Sequence, residues 1–140
     1  RSHPALSRRA LTPRSHDVRA RLCGAFAAAG LRGSPGCSAY YGSKHAVLGM
    51  TKCVALENAN RGIRVNAVCP NEVNTPMLRS GFEKRGFDPN DAIAELGQTV
   101  PLGRIAEPDD ITEVVLFLAS DAARYLCGSL IEVNGGKPVQ

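Results

Sequence analysis

The spacing of apolar positions divides the chain into elements. From Ser38 to about Asn60, "SAYYGSKHAVLGMTKCVALENAN" holds no proline and repeats apolar residues at helical intervals. It predicts a long helix capped by Ser38 and ended by Asn60 or Gly62. On a helical wheel, Tyr40, Val47, Met50, Thr51 and Val54 gather on one side, the expected sheet-facing stripe. Tyr41 falls about 100° round from Tyr40, with Leu48 and Ala55. "GIRVNAVCP" then reads as a strand over Ile63–Cys69 with Pro70 as its stop. A loop holding Thr75 and Pro76 leads to a short helix over Asp88–Gly97. In "AEPDDITEVVLFLAS", Pro108 sits near the first helical position and Asp109 and Asp110 lie in the first turn. Ile111, Val114, Val115 and Leu118 form the apolar face of this helix. "SLIEVNGG" closes the series as a strand over Ser129–Val133 ended by a turn. Helix alternating with strand predicts an α/β domain whose parallel strands are joined by crossovers.

Composition narrows the class. At 140 residues the chain suffices for one domain, and its 44% hydrophobic and 21% charged shares are those of a soluble globular protein. No apolar run approaches the roughly 18 residues of a membrane span, so no membrane partner is expected. The five cysteines are odd in number and form no CxxC pair, which argues against a metal site or a disulfide framework. They fit a reducing cytoplasmic location, as inert and mostly buried thiols.

The net charge of +4 lies in one place: residues 1–25 carry six arginines and one aspartate, and the remainder is nearly neutral. No basic groove is implied, and no nucleic acid partner is expected. Residues 1–27 read as a basic leader, disordered or foreign to the domain, with the Arg- and Ser-rich, acid-poor texture of a transit peptide. The domain proper is expected over 28–140, opening on a loop from Gly30 to Cys37.

The chemically loaded feature is two adjacent tyrosines ahead of Lys44. Tyr40 stands four residues from it and Tyr41 three, and both spacings bring side chains together on a helix. A free phenol, with a pKa near ~10, is a poor base at neutral pH, and a neighbouring ammonium favours its ionised form. The plain alternative is two partly buried helix residues.

In order and spacing, "SAYYGSKHAVLGMTKCVALE", "GIRVNAVCP", "NTPM", "PLGRIAEPDDITEVVLFLASD" and "LCGSLIEVNGG" closely resemble the short-chain dehydrogenases/reductases over about residues 28–137. The resemblance is to the C-terminal half of such an enzyme. It implies a partial Rossmann-like fold, a doubly wound parallel sheet of which only the later strands are present. The implied activity is NAD- or NADP-dependent oxidation of a secondary alcohol or reduction of a ketone. Tyr40 then begins the YxxxK motif as the catalytic tyrosine. Lys44 is its partner and also holds the nicotinamide ribose. Pro70, Val73 and Thr75 match the segment that meets the nicotinamide carboxamide, although Thr75 also suits a plain helix cap. Asn71 replaces a glycine, and a left-handed asparagine would preserve that turn. Glu72 is unusual beside a cofactor.

Residues 77–100 would form a substrate lid lined by Met77, Leu78, Phe82 and Phe87, with core packing as the alternative for all four. Ala27 stands where the family has a catalytic serine. The relay asparagine and the glycine-rich pyrophosphate turn have no counterpart. The chain is therefore expected to be truncated and inactive alone, its leader a frameshifted or mis-started reading. A homo-oligomer through the tyrosine-bearing helix is expected. The alternative function is a non-catalytic remnant serving as an oligomerisation or interaction module.

Overall fold

The computed structural model describes residues 20–25 and 35–137. Along the chain these form β1 (Ala20–Ala25), α1 (Ser38–Asn58), β2 (Ile63–Pro70), α2 (Pro76–Glu83), α3 (Pro89–Gln98), α4 (Pro108–Ala119) and β3 (Leu130–Val133). The strands build a parallel sheet in the order β1-β2-β3. Register runs from Ala20 opposite Ile63 to Ala25 opposite Val68, and from Ala67 opposite Leu130 to Pro70 opposite Val133. Residues 20–25, which the sequence places in the basic leader, pair with β2. That part of the 1–27 segment belongs to the sheet. Ala27 and the loop residues 30–34 lie outside the described residues.

β2 is the centre because it is buried on both faces from Arg64 onward. Its side chains alternate as a strand requires. Ala67 and Cys69 pack with Leu48 of α1 and half-buried Leu130, whereas Val68 packs with Leu118 of α4 and Ala123. The expected apolar face of α4, Ile111, Val114, Val115 and Leu118, covers this second side. α1 and α4 therefore lie on opposite faces of the sheet. Both crossovers step the same way across the sheet but over different faces, so they have opposite hands. One of them departs from the right-handed rule.

α1 does not present the expected stripe. Its buried residues are Leu48, Thr51 and Ala55, while Met50 is 60% exposed. The small side chains decide this, because Ala55 and Thr51 let the helix approach closely. Ala55 lies where a Cβ on left-handed Gly128 would come within 3.5 Å of its own Cβ. Hydrophobicity on a wheel cannot register close approach. Nor does Ser38 cap the helix: Cys37 holds the cap position without a side-chain hydrogen bond, and Ser38 is the first helical residue. The helix ends at Asn58, and a single helical turn leads to Gly62 at φ 75°, an angle suited to glycine.

The segment after Thr75, expected as a loop, is the helix α2. Thr75 Oγ1 accepts from the Leu78 N–H at 3.4 Å and Pro76 takes the first position. Asp88 caps α3 in the same manner, accepting from the N–H groups of Asn90 and Asp91 at 2.8 and 3.2 Å.

Two polar residues of β2 are buried. Arg64 donates to the carbonyls of Leu118 (2.7 Å), Ser120 (3.2 Å) and Leu126 (3.3 Å), closing the C-terminal end of α4 with a cation. Asn66 donates to Leu126 O and accepts from the Ser129 N–H, which fixes the entry to β3.

Candidate active site

Parallel strands end on one edge of the sheet, and ligand sites of open α/β folds form at that edge. α1 begins there, since it follows β1 and returns to the start of β2. Its first two turns carry Tyr40 and Lys44. The Lys44 Nζ lies 5.4 Å from the centre of the Tyr40 ring, a cation–π contact worth about 0.5–1 kcal/mol at an exposed site. The Tyr41 ring stands edge-on to Tyr40, with centroids 5.7 Å apart and planes at 87°. Tyr41 is half-buried and Tyr40 is 48% exposed, the reverse of what the wheel suggested. The lysine nevertheless covers Tyr40, because four residues is slightly more than one helical turn. Among the described residues, neither the Tyr40 hydroxyl nor the Lys44 ammonium has a hydrogen-bond or ion-pair partner. Their polar groups are free for a ligand.

The second part of the candidate site is the chain leaving β2. Pro70 is buried at the strand's end. Three backbone hydrogen bonds then fasten the next residues: Asn71 N–H to Val133 O (3.1 Å), Ala106 N–H to Glu72 O (3.1 Å) and Asn74 N–H to Ala106 O (2.8 Å), the last two forming a parallel bridge between Val73 and Ala106. Asn71 is not left-handed, since no described residue other than glycine has a positive φ. Its N–H is instead bonded to Val133 O, which ties it to β3. Thr75 spends its hydroxyl on the α2 cap, as its plainer reading required.

Sequence reasoning missed what braces this loop. Asn74 donates through Nδ2 to Glu107 Oε1 at 2.9 Å and accepts from Arg79 Nε at 2.9 Å, while Arg79 also reaches Asn90 Oδ1 at 3.0 Å. Arg104 and Asp110 form a two-pronged pair at 2.6 and 2.9 Å, and Asp110 accepts the Glu107 N–H at 2.8 Å. The Arg104 guanidinium and that backbone N–H hold the Asp110 carboxyl well below its usual range, at about 2. A signal existed: an acid three residues after Glu107, ahead of an apolar helix, has the spacing of a reciprocal N-terminal cap.

The proposed lid is only partly lined as expected. Met77 is 86% exposed and Phe87 59%, while Leu78 and Phe82 are half-buried. Phe82 and Phe87 share a hollow of about 300 Å³ with Arg85, Ala92, Leu96 and Thr99, and Met77 and Leu78 stand outside it. The Arg85 guanidinium stacks 4.9 Å from the Phe82 ring centre.

Of the cysteines, Cys69 is buried, and burial with nearby Glu132 pushes its thiol up. Cys37, Cys53 and Cys127 are exposed, against the expectation of mostly buried thiols. No group of three His, Cys, Asp or Glu side chains converges to hold a metal ion among the described residues. No helix among them is long and apolar enough to cross a membrane.

Known proteins align with this arrangement. The family profile described as enoyl-(acyl carrier protein) reductase matches residues 4–137. The oxidoreductase UcpA of Salmonella typhimurium is 44% identical over 103 residues, covering 73% of this chain and 39% of UcpA. The ligand-free aldohexose dehydrogenase of Thermoplasma acidophilum superposes with a TM-score of 0.79 at 35% identity, covering 88% of this chain and 51% of that one. An actinorhodin polyketide ketoreductase solved with NADPH gives a TM-score of 0.74 at 33% identity, over 84% of this chain and 46% of the other. The chain thus spans about two fifths to one half of the length of these relatives.

Proposed function

Since this chain belongs to the short-chain dehydrogenase/reductase family, we propose that it is the proton-transferring half of a NAD- or NADP-dependent oxidoreductase acting on a secondary alcohol or ketone. The observation that carries this reading is the Tyr40–Lys44 pair at the strand-end edge, with its hydroxyl and ammonium both unspent. When bound, the nicotinamide supplies or accepts the hydride. The Tyr40 hydroxyl gives or takes the proton at the carbinol oxygen as that bond changes. Lys44 offers three N–H donors to the ribose hydroxyls and orients the ring against the substrate. Pro70 and Val73 give the carboxamide a rigid wall, because the loop that carries them is fastened to Val133 and Ala106. Thr75 contributes there through its backbone, its hydroxyl being engaged in the cap. Phe82, with Leu78 and Met77 on the same short helix, is the apolar side of the substrate region.

The glycine-rich turn of the family falls in the part of its relatives that this chain does not span, so full activity is assigned to a protein that includes it. A cytoplasmic location accords with four free thiols among the described residues. The test is a protein completed to the relatives' full length, assayed with NADH and NADPH against a panel of ketones. Tyr40→Phe should abolish turnover and Tyr41→Phe should leave most of it. A dead Tyr41→Phe beside an active Tyr40→Phe would refute the assignment.

A second reading, association of copies through α1, is favoured by Met50 and Leu56, which are 60% and 83% exposed on that helix. Sedimentation of the chain should show a dimer or larger species at micromolar concentration, and a sharp monomer peak would sink this reading.

A further inference from the structure

Glu72 is the residue the family pattern leaves unexplained, and it does not reach solvent freely. Its Oε1 accepts from Lys137 Nζ at 2.9 Å, with the two side chains only 25% and 19% exposed. Lys137 also donates to Thr99 Oγ1 at 3.2 Å, just beyond the end of α3. The other carboxylate oxygen, Oε2, is buried without a hydrogen-bond partner, so among the described residues Lys137 is the cation paired with this group. The lysine is itself placed by a tight turn. Lys137 N–H donates to Asn134 O at 3.0 Å, and Gly136 N–H donates to Asn134 Oδ1 at 3.0 Å. Gly135 and Gly136 take φ 63° and 84°, and a Cβ on Gly135 would stand 2.6 Å from Val100 Cγ1. The "NGGK" turn is thus built to deliver one ammonium to the loop leaving β2.

We infer that Lys137 is a positioning residue: through Glu72 it holds the 71–75 loop in the shape that receives the nicotinamide. The functional half of this statement rests on the reading above of that loop as nicotinamide-facing. Glu72 lies between Asn71, fastened to Val133, and Val73, bridged to Ala106. Removing the lysine leaves a largely buried carboxylate with neither oxygen compensated. Such a group turns toward water, and with the tie to the turn after β3 gone its stretch of backbone is loosened.

The experiment uses the 140-residue chain as wild type, Lys137→Met, Lys137→Arg and the double variant Glu72→Gln/Lys137→Met. Amide hydrogen exchange reads the loop through the N–H groups of Asn71, Asn74 and Ala106. The Ala67 N–H, bonded to Ser129 O in mid-sheet, is the internal reference. Reduced nicotinamide mononucleotide, the half of the cofactor that meets this loop, is the binding probe, read by saturation transfer in NMR.

Lys137→Met should speed exchange at the three loop amides about tenfold, between the effects of losing an exposed and a buried pair, and leave Ala67 unchanged. It should also weaken the probe's signal. Lys137→Arg should restore both, and the double variant should exchange more slowly than Lys137→Met because the stranded charge is gone. Unchanged loop amides would overturn the inference, as would acceleration shared equally by Ala67, which marks a loss of global stability only. Equal probe binding by wild type and Lys137→Met would overturn it as well. If the probe fails to bind the wild type, the nicotinamide reading falls and the functional half of the inference falls with it. The amide pattern still decides the clamp in that case.

Discussion

Replacing Arg64 with methionine tests how α4 is held on the sheet. Arg64 is only 6% exposed, and its guanidinium donates to three carbonyls at the end of α4 and in the turn after it. Leu126 O would keep its bond from Asn66 Nδ2 at 3.0 Å and Ser120 O its bond from the Ala123 N–H at 3.3 Å, so the substitution strands one acceptor, Leu118 O. A stranded buried carbonyl costs about 1–3 kcal/mol. Against this stands the relief of no longer burying a charge whose Nε has no partner. The balance comes to a destabilisation of about 1–2 kcal/mol. Lysine at this position carries the charge but not the fork, and should recover less than half of the loss. Urea unfolding followed by circular dichroism measures the effect, with an unchanged slope confirming that the same surface is exposed. An Arg64→Met chain as stable as wild type would refute the reasoning. The buried guanidinium would then be a cost that its three hydrogen bonds merely cancel.

Three further outcomes are expected. The Asp110 carboxyl is held down from 3.8 to about 2 in the folded chain, so its contribution to stability is complete above about pH 4 and fades as pH falls toward 2. The gap in melting temperature between wild type and Asp110→Asn should therefore be constant from pH 7 to about 4 and close below it, and a gap independent of pH would contradict the pairing with Arg104. Gly135→Ala should lower the urea midpoint, because alanine at φ 63° costs roughly 1–2 kcal/mol before its methyl meets Val100; an unchanged midpoint would show the turn to be compliant. NADH or NADPH titrated into this chain should bind no tighter than about millimolar, near −4 kcal/mol, and Ala27→Ser should not rescue it, since one restored hydrogen bond does not replace the contacts of the adenosine and pyrophosphate. Saturable binding at low micromolar concentration would reveal a cofactor site not assigned here.

What the chain determined by itself is local. β2 follows from the apolar-rich run at Ile63–Cys69. α3 and α4 follow from an acid at the cap and proline in the first helical position. Tyr40 and Lys44 meet because four residues on any helix share a face, whatever the helix packs against. Which face of α1 is buried was not local. It depended on how near β2 and Gly128 let Thr51 and Ala55 come, and the wheel pointed to Tyr40 where packing chose the Tyr41 side. β1 escaped notice among arginines and prolines because its strand character shows in pairing with a segment some forty positions away. Asn71 is fastened to β3 because Val133 supplied an acceptor, a bond no propensity encodes. Glu72 and Lys137 stand 65 positions apart, and only the turn after β3 brings them together. Periodicity and caps are set by neighbours in sequence and can be read there. Close approach, strand partners and charge pairs are set by neighbours in space, which exist only once the sheet has formed.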